Sequence, residues 1–187
     1  MEAAWWNKCR NSVGKESMNN AIKESIRHEI SIILNNEPDR GIIHTVSYRL
    51  ADTLRDLSPR IIIHDSENKN ELYEKFTKTE GAVWVSPSSM RGLDLHDDLG
   101  RFAVILKCPY LDLGDYHTKQ RLFTSGQWGQ QWYTAATINN IIQACGRVVR
   151  NEDDWGRVYI LDMQVGKLLE KNTILWPGWF REAVEYE

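Results

Sequence analysis

Residues 143–150 carry the pattern from which the fold is inferred, and they read Gln143-Ala144-Cys145-Gly146-Arg147-Val148-Val149-Arg150. Wound at about 100° per residue, a helix over residues 137–150 separates apolar from polar side chains. The apolar face holds Ile138, Ile141, Ile142, Cys145, Val148 and Val149, and the opposite face holds Gln143, Arg147 and Arg150. An apolar face of this kind predicts a helix that docks onto a sheet.

The polar face of this helix is an array of hydrogen-bond donors. A guanidinium is always charged, and its planar fork of N–H groups suits phosphate oxygens. Gly146 leaves one flank of the helix without a side chain, so a ligand or another backbone can approach closely beside Arg147. The alternative is an amphipathic helix whose basic face is simply solvated.

Short apolar runs alternate with helical periodicity along the rest of the chain. The predicted strands cover residues 42–46, 60–64, 82–85, 102–106 and 158–161, and the predicted helices cover residues 17–35, about 48–57 and about 68–77. This alternation predicts an α/β fold with a mainly parallel sheet and crossover helices. Ligands of such sheets bind at the carboxyl ends of the strands.

Three segments together resemble the motifs of superfamily 2 helicases. Residues 143–150 fit the pattern Q-x-x-G-R-x-x-R, and with Asp154-Trp155-Gly156 and the strand that ends at Asp162 they resemble motif VI, most closely that of the DinG/XPD branch. Residues 86–95 resemble motif V, and residues 41–48 resemble motif IV. The resemblance covers about residues 38–165. Arg91 stands where the DinG/XPD branch usually has Glu, although Arg-Gly-x-Asp is common in the wider superfamily.

The resemblance implies a RecA-like three-layer domain, the second of two that enclose ATP in a helicase motor. The phosphate-binding loop, G-x-x-x-x-G-K-[ST], belongs to the first domain. Gly14-Lys15-Glu16 fails as such a loop, because Cys9 replaces the first Gly and no hydroxyl residue follows Lys15. We therefore expect ATP with Mg as the cofactor, the Mg ligands on a missing N-terminal RecA-like domain, no metal on this chain, and no activity from this chain alone.

The resemblance also assigns roles to residues, position by position. Arg147 and Arg150 correspond to arginine fingers, and Gln143 orients water or phosphate. Nucleotide contacts fall on Gly92, Asp94 and Gly146. Contacts to single-stranded nucleic acid, DNA rather than RNA, fall on Ser47, Tyr48 and Ser86. Two alternatives stay open: Ser47 caps a helix, and Asp94 belongs to a surface turn.

Composition bounds the class of protein. The chain has 187 residues, a formal net charge of -3 and three cysteines far apart in the sequence (Cys9, Cys108 and Cys145). An odd, scattered cysteine set suits a reducing compartment, so we expect a cytoplasmic protein, or a nuclear one in a eukaryote, with no membrane partner. The net charge does not favour a nucleic-acid partner, and it does not exclude one.

We predict a single domain over residues 1–187, with a helical lead-in at about 1–37, an insertion at 108–133 and a docking segment at 166–187. The insertion carries Tyr116, Phe123, Trp128, Trp132 and Tyr133, interleaved with Lys119 and Arg121. These side chains suit either a platform on which single-stranded bases stack or a packed helix face, and we favour packing. The docking segment covers an apolar patch or contacts a missing neighbour domain.

A rival function is a non-catalytic nucleic-acid-binding or regulatory module that keeps the motor fold. The absent first domain favours this rival. The residues that would meet ATP argue against it, because a binding module does not require Gly92, Asp94, Gln143, Arg147 and Arg150.

Overall fold

The computed structural model describes residues 15–65, 67–87, 95, 97–149 and 154–186. Within them, five parallel strands form a sheet in the order β2-β3-β1-β4-β5. The strands are β1 (Gly41–His44), β2 (Ile61–Ile63), β3 (Val83–Ser86), β4 (Phe102–Ile105) and β5 (Arg157–Ile160). Every apolar run predicted as a strand forms one, within two residues at each end.

Helices connect and cover these strands. They are α1 (Lys15–Asn36), α2 (Tyr48–Asp52), α3 (Lys69–Lys78), α4 (Tyr116–Thr124), α5 (Gly126–Cys145), α6 (Met163–Lys171) and α7 (Gly178–Glu182). The expected helix at about 48–57 is shorter as an α-helix, since α2 ends at Asp52 and turns continue to Leu57. Short 3-10 segments lie at Asp97–Leu99 and Thr173–Leu175.

Helices cover both faces of the sheet, which confirms the three-layer α/β architecture. On one face, α1 and α2 pack through Ile30 and Ala51 against alternate residues of β1 and β4, such as Ile43 and Val104. On the other face, α3 packs through Phe76 against Trp84 and its neighbours. The same face carries α5, α6 and α7, which form a third cluster around Ile105 with the following members: Ile138, Ile141, Val165, Trp176 and Phe180.

The order of the strands places a crevice between β1 and β4. From β1 the chain continues to β2, toward one edge of the sheet, whereas from β4 it continues to β5, at the opposite edge. Parallel register aligns His44 with Ile105 at the carboxyl ends of these two strands. Open parallel sheets bind their ligands at such a switch of direction, so this edge is where a site is expected.

The α4–α5 hairpin lies at this carboxyl edge. Tyr133 Oη donates to the Leu111 carbonyl at 2.9 Å, and Asn140 Nδ2 donates to the Pro109 carbonyl at 3.2 Å, both in the segment that follows β4. Gly129 lets α5 approach the backbone of α4 at Leu122, where a Cβ would clash. Residues 126–133, which we expected in an insertion, are thus the first turns of the same helix that leads to Arg147.

The aromatic side chains of this hairpin are more exposed than we expected. Trp128 is 78% exposed, and Tyr116 and Phe123 are also exposed. Trp132 is partly covered, with the Arg121 guanidinium 4.3 Å from its ring centroid. The preference for core packing is therefore wrong for Trp128. Trp128 lies in the first turn of α5, whereas all but one of the buried residues of this helix lie at Thr137 or beyond.

In the part of the chain that the structure describes, we find no helix with the length and apolar character needed to cross a bilayer.

Candidate functional site at the carboxyl edge of the sheet

The helix that carries Gln143 ends before it reaches the arginines. The α5 helix stops at Cys145, and the N–H of its cap residue Gly146 bonds the Ile142 carbonyl at 2.9 Å. The prediction of a helix to residue 150 is thus wrong at this end, because Gly is a weak helix former and is suited to helix termini. Arg147 lies in the turn that follows, half-buried.

The two valines that follow Arg147 differ in burial. Val148 is buried in the cluster formed with Ile42 and Trp84, whereas Val149 is 43% exposed. The single apolar face predicted for both valines is therefore wrong, because the ending of the helix breaks its periodicity.

His44 joins the end of β1 to the end of α5. Burial and, to a smaller extent, the positive charge of Arg147 lower the pKa of His44 to about 4, although a hydrogen bond with the Ala144 backbone opposes both effects. The imidazole is therefore neutral near pH 7. Arg147 therefore acts electrostatically on His44, the last residue of β1, although its backbone carbonyl oxygen lies 3.7 Å from the position of a Cβ at Gly100, just before β4. Sequence reasoning missed His44, since periodicity does not reveal which distant helix covers a strand end.

Gly156 fixes the path of the chain that follows Arg147. A Cβ at Gly156 would lie 2.9 Å from the Val148 carbonyl oxygen and 2.9 Å from the Val148 Cβ. Real Cβ atoms essentially never approach this closely. The close contact between Gly156 and Val148 therefore holds the residue after Arg147 against the start of β5.

Arg101 anchors the same segment from the start of β4. Its Nη1 donates to Asp154 Oδ1 at 2.6 Å and to the Trp155 carbonyl at 3.0 Å, and its Nη2 bonds Asp98 Oδ1 at 2.9 Å. The guanidinium carbon also lies 4.9 Å from the centroid of the Trp155 ring. The acidic turn after motif VI is thus a structural anchor for the arginine-bearing segment.

The structure brings some of the predicted nucleotide-side residues together. Gln143 and Gly146 are exposed within one turn before Arg147, at the end of α5. Three other residues predicted to meet the nucleotide lie outside the described residues, namely Gly92, Asp94 and Arg150.

The turn from β1 into α2 carries two of the predicted strand contacts. Ser47 Oγ accepts from the Leu50 N–H at 3.2 Å, so Ser47 does cap its helix. Thr45 Oγ1 donates to the Ser47 carbonyl at 3.1 Å. Val46 has a φ of 56°, a left-handed conformation that is a true outlier for a β-branched residue. Such strain persists only where neighbours impose it, and it clusters at functional sites.

Tyr48 and Ser86 differ in exposure at this edge. Tyr48 is 44% exposed, whereas Ser86, at the end of β3, is 1% exposed. His64 Nε2 lies 2.7 Å from Ser86 Oγ, and His64 Nδ1 lies 2.8 Å from the Asp65 carbonyl oxygen. The Ser86 hydroxyl is thus held beneath the surface by a histidine that the sequence analysis did not single out.

Asp162 follows β5 and caps α6, and it ties neighbouring strand ends together. Its Oδ2 accepts from the Cys108 N–H at 2.8 Å, after β4, and its Oδ1 accepts from the Gln164 N–H at 2.9 Å, in the first turn of α6. The acidic residue at this position is therefore structural. Among the residues that the structure describes, no group of three His, Cys, Asp or Glu side chains could hold a metal ion.

The parallel five-stranded sheet with helices on both faces has the architecture of a RecA-like domain. Residues 31–182 match the helicase C-terminal domain family. The chain therefore belongs to this family, as a C-terminal superfamily 2 helicase domain of the DinG/XPD type, and the resemblance seen in its motifs is confirmed.

Individual relatives agree with this family. A regulator of telomere elongation helicase 1 homolog from Drosophila sechellia is 28% identical over 118 residues, which are 57% of this chain and 12% of that protein. The Caenorhabditis elegans homolog is 32% identical over 92 residues, which are 48% of this chain and 8% of that protein. The chain thus spans only about an eighth or less of the length of these relatives.

Solved structures share the fold. The S. tokodaii Xpd4 structure has a TM-score of 0.61 and 18% identity, over 86% of this chain and 34% of that one. An XPD helicase structure has a TM-score of 0.65 and 17% identity, over 87% of this chain and 31% of that one.

Proposed function

We propose that this chain is the second motor domain of an ATP-dependent helicase or translocase that acts on single-stranded nucleic acid, DNA rather than RNA. It contributes to an ATP site shared with an N-terminal RecA-like domain, in the same or a neighbouring polypeptide. The residues that it contributes are Gln143, Arg147 and Arg150 toward the transferred phosphate, and Gly92, Asp94 and Gly146 toward the nucleotide.

One observation carries this proposal: the half-buried Arg147 acts electrostatically on His44, the last residue of β1. His44 reports this charge, since Arg147 lowers the pKa of the imidazole. The Gly156 contact and the Arg101 anchor support the segment that bears Arg147. A supported guanidinium loses less freedom when it binds, and its planar fork matches phosphate oxygens.

The chemistry of phosphoryl transfer explains the need for these donors. Negative charge spreads over the transferred group, and cationic donors held in place lower the barrier. Arg147 and Arg150 would supply such donors when the two domains close, and Gln143 would orient water or phosphate. ATP with Mg supplies the phosphoryl group and its counter-charge, and the proposal places the Mg ligands on the N-terminal domain.

The strand-binding side of the proposal lies on the β1–α2 turn. Ser47 and Tyr48 are exposed there. The Ser47 oxygen accepts from Leu50, so its hydroxyl proton is available to a phosphate. Ser86 is buried beside His64, so it supports strand binding indirectly, through the residues that cover it.

A reconstitution experiment tests the proposal. We expect the purified chain to lack Mg-dependent ATPase activity, because the phosphate loop supplies most nucleotide contacts. Addition of its N-terminal RecA-like domain, in trans or in one polypeptide, should produce ATPase activity that single-stranded DNA stimulates. A combined protein that binds single strands without hydrolysing ATP would instead favour the non-catalytic module.

Two substitutions separate the nucleotide side from the strand side. Single-strand binding by the chain should be tolerant of sequence and steeply dependent on salt. Tyr48→Ala should weaken it, whereas Arg150→Ala should leave it unchanged. Equal losses from both substitutions would show that the two surfaces are misassigned.

A further inference from the structure

A buried histidine lies beneath the exposed Tyr48. His64 follows β2 and is 3% exposed. The Tyr48 and His64 rings meet at nearly a right angle, with their centroids 5.8 Å apart and an interplanar angle of 83°. Tyr48 therefore rests on the His64 ring in an edge-to-face arrangement, a favourable geometry for aromatic pairs.

The His64 ring is fixed from its other sides. It stacks on Trp84 of β3, with a centroid distance of 4.8 Å and an interplanar angle of 14°. Trp84 is fully buried, and Tyr73 and Phe76 of α3 contact it in turn. A continuous column of rings thus runs from the core beneath α3 up to Tyr48 at the carboxyl edge.

Hydrogen bonds determine how the imidazole is oriented within this column. The Asp65 carbonyl can only accept, so Nδ1 carries the proton that is donated to it. In the neutral imidazole, Nε2 is then an acceptor, and the Ser86 hydroxyl must donate its single proton to it. That proton is not available to a phosphate, so Ser86 acts here by holding His64.

We propose that His64 is a positioning residue of the strand-binding edge: it presents Tyr48 to single-stranded nucleic acid, and Ser86 and Trp84 lock its ring in place. This inference rests on the proposed function, and it adds the residue that sets the orientation of the strand contact. An aromatic ring that is held in place before binding loses little conformational freedom when a base or a phosphate reaches it.

Two substitutions of His64 separate its ring from its hydrogen bonds. His64→Gln removes the ring but keeps an acceptor for Ser86, whereas His64→Phe keeps the ring beneath Tyr48 but removes both hydrogen bonds. Each is combined with Tyr48→Ala in the full 187-residue chain. The measurements are the affinity for a fluorescein-labelled oligothymidine, by anisotropy, and the melting temperature. His28→Gln, at an exposed position on α1, is the matched control.

We expect Tyr48→Ala to weaken binding about ten-fold, in the range measured for loss of a stacking ring. His64→Gln should weaken it about three- to ten-fold, and it should cause no further loss when Tyr48 is already Ala. His64→Phe should bind within about two-fold of the parent chain, although it lowers the melting temperature because the buried Ser86 hydroxyl loses its acceptor. This separation of affinity from stability is not expected of a purely structural histidine.

The proposal is overturned if His64→Phe weakens binding as much as His64→Gln does. It is also overturned if the loss from His64→Gln persists in full beside Tyr48→Ala, since independent effects add. If one of the two His64 variants fails to fold, the double-mutant cycle of the other His64 variant with Tyr48→Ala is the test. An unchanged affinity in Tyr48→Ala alone would instead refute the strand contact in the proposed function, and the two failures are thereby distinguished.

Discussion

Substitution of Gly156 tests how tightly the segment after Arg147 is held. A methyl group at this position would meet the Val148 carbonyl oxygen and the Val148 Cβ, each at 2.9 Å. Neither atom belongs to the flexible end of a side chain, so the backbone must shift. Overpacking of this kind destabilises the folded chain by about 1–3 kcal/mol. The lower conformational entropy of the unfolded chain with Ala offsets about 0.4–1 kcal/mol of this loss.

We therefore expect Gly156→Ala to lower the free energy of unfolding by about 1–2 kcal/mol. For a chain of this size, this corresponds to a fall in Tm of about 2–8 °C. The assay is urea unfolding followed by circular dichroism, together with a thermal melt. The matched control is Gly166→Ala, because Gly166 lies inside α6 with no atom within 4 Å of an added Cβ. In a helix interior this control should raise stability by about 0.5–1 kcal/mol.

The opposite signs of these two Gly→Ala substitutions are the critical result. If Gly156→Ala is as stable as the parent chain, or as stabilising as Gly166→Ala, Val148 is not held by Gly156. The argument that this contact supports the Arg147 segment would then fail.

Two further predictions concern stability. Since the pKa of His44 is about 4 in the folded chain and 6.5 is its ordinary value, the unfolded chain binds more protons between these values. The free energy of unfolding should therefore fall by about 2 kcal/mol from pH 7 to pH 5. Urea titrations should show this loss in the exposed control His28→Gln but not in His44→Gln. If His44→Gln keeps the same dependence on pH, the low pKa of His44 is contradicted. Asp162→Ala should lower the free energy of unfolding by about 1–3 kcal/mol, because the Cys108 and Gln164 N–H groups lose their acceptor. A loss below about 0.5 kcal/mol in the same titration would mean that water replaces the carboxylate.

The sheet could be predicted from the sequence because β1 to β4 are largely buried on both faces. Runs such as residues 61–63 and 102–106 are apolar throughout, and this pattern is typical of parallel strands covered by helices on both sides. The order of the strands did not follow from these runs. Strand order depends on contacts between distant segments, such as that of Glu37 with Arg157 and Tyr159, and periodicity does not reveal them.

The extent of the helix that carries Gln143 could not be predicted correctly. It ends at Cys145 and not at residue 150, since a pattern of apolar residues continues past a glycine at which the helix itself stops. The importance of His44, His64 and Arg101 was not visible, because each acts through partners distant in the sequence. The spacing of Trp128 and Trp132 fits a helix face and favours packing, yet spacing alone cannot show that the buried residues of α5 lie mainly in its second half.

The central claim is that Arg147 stabilises the transition state of ATP hydrolysis, and steady-state ATPase kinetics of the two-domain enzyme test it most directly. Arg147→Ala should lower kcat by about 10³ or more, with a smaller effect on ATP binding. Arg147→Lys should recover little, since an ammonium group keeps the charge but lacks the planar fork. A kcat within a few-fold of the parent enzyme, together with a lower melting temperature for Arg147→Ala, would contradict the claim and leave Arg147 a purely structural role.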